Sequence, residues 1–256
     1  MSEQPVVIKP IIPIYDHLIR EIEKYIPKGS KVLELGADLQ ANLSTQLLEK
    51  GYEITALNPA PNFTPHVDIN YSRADARTLP FKNESFNCVV SVNTFECMQY
   101  LPLVINESYR VLEKEGYLIT IFGPLWSSAK GHSLWAKYGD DVVSFWDKSK
   151  RCPLDDFDHL LLSPLDMEQK LSKLGECKEM RDAIIDAVFK RTDMNRLFLR
   201  DYISIFTNSR FLRIRIDPYN VNPIDTVIYR KLEEMWGRED FNVSSLIVVL
   251  KKPKLF

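Results

Sequence analysis

No stretch of this 256-residue chain is apolar for long enough to span a bilayer, and no basic-then-apolar leader opens it. The expected setting is the cytoplasm, with no membrane partner. Cysteine is sparse: Cys88, Cys97, Cys152 and Cys177 form neither a Cys-x-x-Cys pair nor a metal-ligand spacing. That excludes a disulfide scaffold and leaves no metal site to expect. Neither sign of charge dominates, with 33 Lys and Arg against 35 Asp and Glu, so nothing in the composition calls for nucleic acid. The Lys251-Lys252-Pro253-Lys254 end reads as solvated chain, and Arg210, Arg213 and Arg215 as a solvated strand face. Glycine is missing where a pyrophosphate loop needs it. Gly36 is followed by Ala37-Asp38-Leu39-Gln40, and Asp38 would repel a phosphate, which argues against a dinucleotide dehydrogenase.

What is present is a large apolar fraction, 45%, enough for a sizeable core. The run Lys31-Val32-Leu33-Glu34-Leu35-Gly36 reads as a strand buried on both faces that enters a turn and then a helix. Around it, apolar residues recur at helical spacing over Leu18–Ile26, and Pro27-Lys28-Gly29 stops that helix. A second helix carries Leu43, Leu47 and Leu48. Strands are expected at 52–57, 72–74, 86–92 and 117–122, with a helix at 103–112. Before them, Pro5, Pro10 and Pro13 mark an irregular start. Alternating strands and helices imply an α/β fold: a Rossmann-like, seven-stranded, mostly parallel sheet with an antiparallel edge. That edge is assigned to strands at 211–216 and 246–250, with a helix at 224–236 between them.

The rhythm breaks at Gly123-Pro124. Residues 124–200 are too long for an ordinary connection and are expected to be mostly helical or irregular, with helices at 164–174 and 183–190. The whole, 1–256, is read as one domain with 124–200 inserted as a lid or substrate-binding segment.

The strand ends carry polar residues in chain order: Glu34 and Gly36, Asn58, Asp75-Ala76, and Asn93-Thr94-Phe95. Ligands of open α/β sheets bind at this edge. A nucleoside needs acceptors for ribose hydroxyls, a carboxylate for an adenine amino group, and a turn without Cβ for clearance. Asn58 follows Gly36 by about 20 positions, the usual place of a ribose contact.

These residues resemble the motifs of the class I S-adenosylmethionine-dependent methyltransferases. Val32-Leu33-Glu34-Leu35-Gly36 is similar to their first motif. Asp75-Ala76-Arg77-Thr78-Leu79-Pro80-Phe81 with Glu84-Ser85-Phe86-Asn87 is similar to their D-A-x-x-L-P-F…S-F-D stretch. Ser91-Val92-Asn93-Thr94-Phe95-Glu96 resembles the fourth motif, and Arg110-Val111-Leu112-Glu113-Lys114-Glu115-Gly116-Tyr117-Leu118 the lead into strand five. The resemblance implies S-adenosylmethionine as cofactor, contacted by Glu34, Gly36, Ala37, Asn58, Asp75, Ala76, Asn93, Thr94 and Phe95. Two family glycines are absent after Gly36, and Asn58 stands where an acid is usual, which removes charge assistance at the ribose. Glu96-Cys97-Met98 sits where some relatives carry a histidine.

Large aromatics and two histidines crowd the insertion. Trp126, Trp135 and His159 are candidates for substrate binding, and His132, beside Gly131, for a general base. The expected function is methyl transfer to an oxygen or nitrogen of a small molecule, a natural-product or glycan intermediate. The alternative is a methyltransferase-fold protein without catalysis that binds a protein partner. Self-association as a homodimer stays open.

Overall fold

The computed structural model describes residues 13–59 and 68–254. The proline-marked start lies outside them, apart from Pro13, which stands at the first position of helix α1 (Pro13–Tyr25), where its missing N–H costs nothing. Strand β1 (Lys31–Leu35) follows, then α2 (Asn42–Glu49), β2 (Glu53–Leu57) and a short β3 (Asn70–Ser72). Next come β4 (Phe86–Val92), a single 3₁₀ turn (Phe95–Cys97), α3 (Leu101–Val111) and β5 (Leu112–Phe122). The third strand begins two residues earlier than the sequence suggests. Thr55, Ala56 and Leu57 pair with Asn70, Tyr71 and Ser72, and the chain leaves the sheet before Asp75.

Seven strands form one sheet in the order β3-β2-β1-β4-β5-β9-β8, completed by β8 (Leu212–Val221) and β9 (Val243–Lys251). The first five are mutually parallel, whereas β9 runs antiparallel to both β5 and β8. The last two strands thus make the antiparallel end expected from the sequence. Strand order reverses between β1 and β4, which opens the carboxyl edge there.

Side chains along the central strands alternate between two cores. Val32, Cys88, Val90, Ile119 and Ile121 face α1 and α2, packing on Leu18, Ile22, Leu43 and Leu47. Leu33, Val89, Leu118 and Phe122 face the other way, onto Val104 and Ile105 of α3 and onto Tyr202 and Phe206 of α7 (Leu199–Thr207). Burial on both faces is why these strands read as continuous apolar runs.

The insertion builds a third core. It contains β6 (Trp135–Tyr138), β7 (Asp141–Ser144), α4 (Asp158–Leu161), α5 (Pro164–Lys173) and α6 (Lys178–Ile185), the last continuing as a π turn over Asp186–Lys190. Its buried residues pack with Leu232 of α8 (Thr226–Trp236) and with Phe241. The Trp236 indole N–H donates to the Leu160 carbonyl at 2.9 Å. The β6–β7 hairpin was not expected, since its strands are too short to show a clear period. Gly139 at positive φ begins its two-residue turn.

Candidate active site

The turn after β1 does without the usual glycines by another device. The Asp38 carboxylate accepts from the backbone N–H of Gln40 (2.9 Å) and Asn42 (3.2 Å), from the Asn42 amide, and from the Tyr15 hydroxyl at 3.0 Å. Ala41 takes the left-handed conformation in which glycine is usual. The N–H groups of Gly36 and Ala37 both donate to the Leu57 carbonyl, at 2.8 and 3.0 Å, so the turn is tied to the end of β2. Burial and the charge of Asp38 push the Tyr15 hydroxyl well above its ordinary range.

Gly36 itself has no room for a side chain. It sits at φ +74°, and a Cβ there would come within 2.2 Å of the Thr94 methyl. Thr94 is held in place by its hydroxyl, which donates to the Val92 carbonyl at 2.7 Å. Close approach of β1's turn to β4's end is therefore possible only with glycine.

Between these strand ends lies a cavity of about 450 Å³, lined by Gly36, Asn58, Asp75, Ala76, Asn93 and Thr94 on one side. Six of the nine residues read as cofactor contacts thus meet at one cavity. Its other walls are Leu57, Pro59, Arg77, Cys97, Met98, Gln99 and Val104. Asn58 donates its amide to the Ala37 carbonyl at 2.7 Å, which fixes it beside the first turn. Asp75 is gripped by Arg77, through the guanidinium at 2.5 Å and the backbone N–H at 2.8 Å, and this pairing holds its carboxyl below the usual range. The Arg77 guanidinium also lies 5.7 Å from the Tyr100 ring.

The other three predicted contacts are behind the wall. Glu34 is buried and accepts from the Ser44 hydroxyl at 2.5 Å; burial pushes its carboxyl up to about 7 despite that bond, and Asp38 adds to the shift. Ala37 is buried, and Phe95 is packed between Phe122 and Phe206 in the core. These positions shape the cavity without lining it. Cys97, Met98, Gln99 and Val104 are the reverse case. Their types carry no cofactor signal, and only their nearness to Asn93-Thr94 in the chain pointed to them.

The insertion's candidates need correction. His132 is fully buried and does not line the cavity. Its Nδ1 accepts the Leu134 N–H at 3.0 Å, which places its proton on Nε2. Burial, His159 and the charge of Lys130 hold it well below the usual histidine range. A ring so enclosed has no route to an acceptor, so the general-base expectation is not met by this geometry. His159 donates from Nε2 to the Trp126 carbonyl at 2.8 Å, and burial first, then Lys130, lower it to about 4. Trp126 stacks edgewise on His159 and carries Arg196 over its face. Trp135 points out of the molecule, 53% exposed. None of the three lines the cavity; two are structural members of the third core.

The insertion does reach the site through its last stretch. Asn195 donates its amide to the carbonyls of Phe95 (2.6 Å) and Met98 (3.2 Å), and its backbone N–H to the Glu96 carbonyl at 3.0 Å. Its side-chain oxygen accepts from the Tyr202 hydroxyl at 2.8 Å, and Gln99 donates to the Met194 carbonyl at 2.7 Å. The 3₁₀ turn after β4 is clamped by this segment. Beneath it Glu96 is buried, which raises its carboxyl to about 8 even though backbone N–H groups, including that of Gly123, favour the charged form.

A Rossmann-like sheet with a nucleoside-sized cavity at its switch point defines the class: an α/β protein of the kind whose ligands bind at the strand ends. Residues 33–120 match the methyltransferase domain family. The fold is shared with an S-adenosylmethionine-dependent methyltransferase from Mesorhizobium loti, at 13% identity over 91% of this chain and 96% of that one (TM-score 0.54). It is shared also with a putative S-adenosylmethionine-dependent methyltransferase from Listeria monocytogenes, at 14% identity over 94% and 98% (TM-score 0.54). A curated relative, the phthiotriol/phenolphthiotriol dimycocerosates methyltransferase of Mycobacterium leprae (strain TN), is 38% identical over 50 residues. That match spans 20% of this chain and 18% of the relative's length. Residues 33–120 thus read as a methyltransferase domain, and S-adenosylmethionine is the cofactor that this match and the shared fold imply.

Proposed function

We propose that this chain transfers the methyl group of S-adenosylmethionine to an oxygen or nitrogen of a small molecule, a natural-product or glycan intermediate. The observation that carries the reading is the cavity, which draws Gly36, Asn58, Asp75-Ala76 and Asn93-Thr94 together from four separate strand ends. Its volume, about 450 Å³, suits a nucleoside. Gly36 lets the first turn close onto Thr94, where a Cβ would clash, and so brings the ends of β1 and β4 together at the cavity. In this reading Asn58 contacts the ribose, Asp75 an amino group on the base, and Met98 and Val104 the ring; all four line the cavity.

When bound, the cofactor would supply an electrophilic methyl on a sulfonium, available to an acceptor's lone pair with S-adenosylhomocysteine as the leaving group. The protein's part is alignment and exclusion of water. Among the described residues lining the cavity the one carboxylate is Asp75, and Arg77 occupies it. An acceptor proton therefore passes to solvent rather than to a dedicated base of this wall. We read the chain as one domain in which 124–200 governs acceptor choice. In support, Asn195 and Met194 hold the turn that carries Met98 and Gln99.

Thermal unfolding with and without S-adenosylmethionine or S-adenosylhomocysteine tests the reading. A ligand at 100 times its Kd stabilises by about 2.7 kcal/mol, and a domain of this size gains roughly 2–4 °C per kcal/mol. A rise of several degrees is expected, followed by S-adenosylhomocysteine release with small-molecule acceptors. No shift at millimolar ligand favours the non-catalytic alternative.

A further inference from the structure

The β6–β7 hairpin presents an outer face that the methyl-transfer site does not use. Its inner face is accounted for: Ala136 and Val143, paired in register, turn into the third core with Met180 and Ile184. The outer positions are different. Trp135 is 53% exposed, and Trp146, two positions beyond its pairing partner, 65%; Tyr138, which shares the parity of Ala136, is 49% exposed at the strand's end. Tryptophan is seldom so open on a soluble surface. Two of the chain's four tryptophans stand in the open within this one hairpin and its exit.

The residues between the rings carry the argument to a partner. Lys137, Lys148 and Lys150 are exposed and form no salt bridge among the described residues. Of the nearby acids, Asp141 is paired with Arg151, and Asp147 is engaged with the N–H and hydroxyl of Ser149 and faces Lys150. Asp140, at the turn, and Asp147, which keeps its charge, leave the three lysines a small excess. A surface built for another protein is rich in aromatics but depleted of lysine. Open tryptophan and tyrosine interleaved with unpaired lysine is the chemistry of the bilayer interface, where rings sit at headgroup depth and lysines meet anionic lipid.

We propose that this hairpin docks the protein on an anionic lipid surface, with Trp135 and Trp146 inserted at headgroup level, Tyr138 at the rim, and Lys137 and Lys148 against the phosphates. No spanning helix is needed for such docking, so it is compatible with the finding that no described helix is long and apolar enough to cross a membrane. It replaces the expectation of no membrane partner with a peripheral one. It does not depend on the methyl-transfer reading.

The test is co-sedimentation of the full chain with phosphatidylcholine vesicles, with and without phosphatidylglycerol, together with tryptophan emission. The expected result is binding to the anionic vesicles, with a blue shift and a loss on adding salt. Trp135→Ser with Trp146→Ser should abolish both binding and shift, and each of Lys137→Glu and Lys148→Glu should weaken binding at least about fivefold. All four positions are exposed, so an unchanged Tm confirms that the variants are folded. Absence of sedimentation with anionic vesicles overturns the proposal, as does binding that the variants leave intact. A dimer in sedimentation velocity that dissolves in the double tryptophan variant, without vesicle binding, would assign the face to self-association instead.

Discussion

The two histidine- and motif-bearing halves of this chain behave in opposite ways. At the ends of β1, β2 and β4, residues singled out by motif arrive at one cavity. In the insertion, three of the four residues singled out by chemical type, Trp126, His132 and His159, disappear into the interior. The difference is one of warrant. A strand end in an open parallel sheet has a fixed position relative to its neighbours, so a polar residue there must face the common edge. An aromatic or histidine in an irregular segment has no such constraint. A segment that must fold beside a sheet needs an apolar interior of its own, and Trp126, His159 and His132 supply it.

The largest effect that can break this contrast is at Gly36. Gly36→Ala forces a Cβ against Thr94 in a left-handed conformation, and calorimetry should show S-adenosylhomocysteine affinity falling at least about 100-fold, near 3 kcal/mol. Adding Thr94→Ala should restore part of it, because the steric contact goes while the backbone strain stays. Nearly as large is the pH dependence set by Glu34. Its carboxyl lies at about 7 in the fold against 4.5 unfolded, so the folded state holds the extra proton between those values. The contribution of Glu34 to stability is therefore full below pH 4.5 and falls as pH rises through 7, by roughly 3 kcal/mol. Urea titrations from pH 4.5 to 8 should show that fall, and Glu34→Gln should remove its share while leaving the fall set by Glu96, whose carboxyl lies at about 8.

Asn195 joins the two regions, so it sharpens the comparison. Asn195→Ala strands the carbonyls of Phe95 and Met98 beneath the insertion, which should cost about 2 kcal/mol in denaturant unfolding. The same variant should weaken cofactor binding several-fold, because the turn it clamps carries cavity residues. Asp75→Asn, which removes a carboxylate at the cavity and its grip on Arg77, should weaken S-adenosylhomocysteine by about tenfold. The smallest effect is expected where chemical type alone pointed. His132→Leu should lower stability by about 1–2 kcal/mol through the lost Leu134 hydrogen bond. Its pH–rate profile should keep the wild-type shape.

Much of the fold was legible because its signals are redundant. Leu33, Val89 and Leu118 each sit in a run that only a doubly covered strand explains, and the break at Gly123-Pro124 marks where the alternation stops. Short elements were not legible. The hairpin at 135–144 has four-residue strands, and α6 with its π turn starts well before the apolar spacing suggested. At the site, polar strand ends were readable, whereas Met98 and Val104 resemble ordinary core residues. The Asp38 network that replaces the missing glycines was hidden as well. It depends on Tyr15, which is 23 positions away in the chain.

The central claim is that the cofactor occupies the cavity between the ends of β1, β2 and β4 and owes nothing to the insertion's histidines. Calorimetric titration of S-adenosylhomocysteine into the wild-type protein, Gly36→Ala and His132→Leu tests it most directly. The account predicts saturable binding to the wild type, its loss in the glycine variant, and affinity within about twofold of wild type in the histidine variant. Wild-type affinity retained by Gly36→Ala, or binding lost in a folded His132→Leu protein, would contradict it.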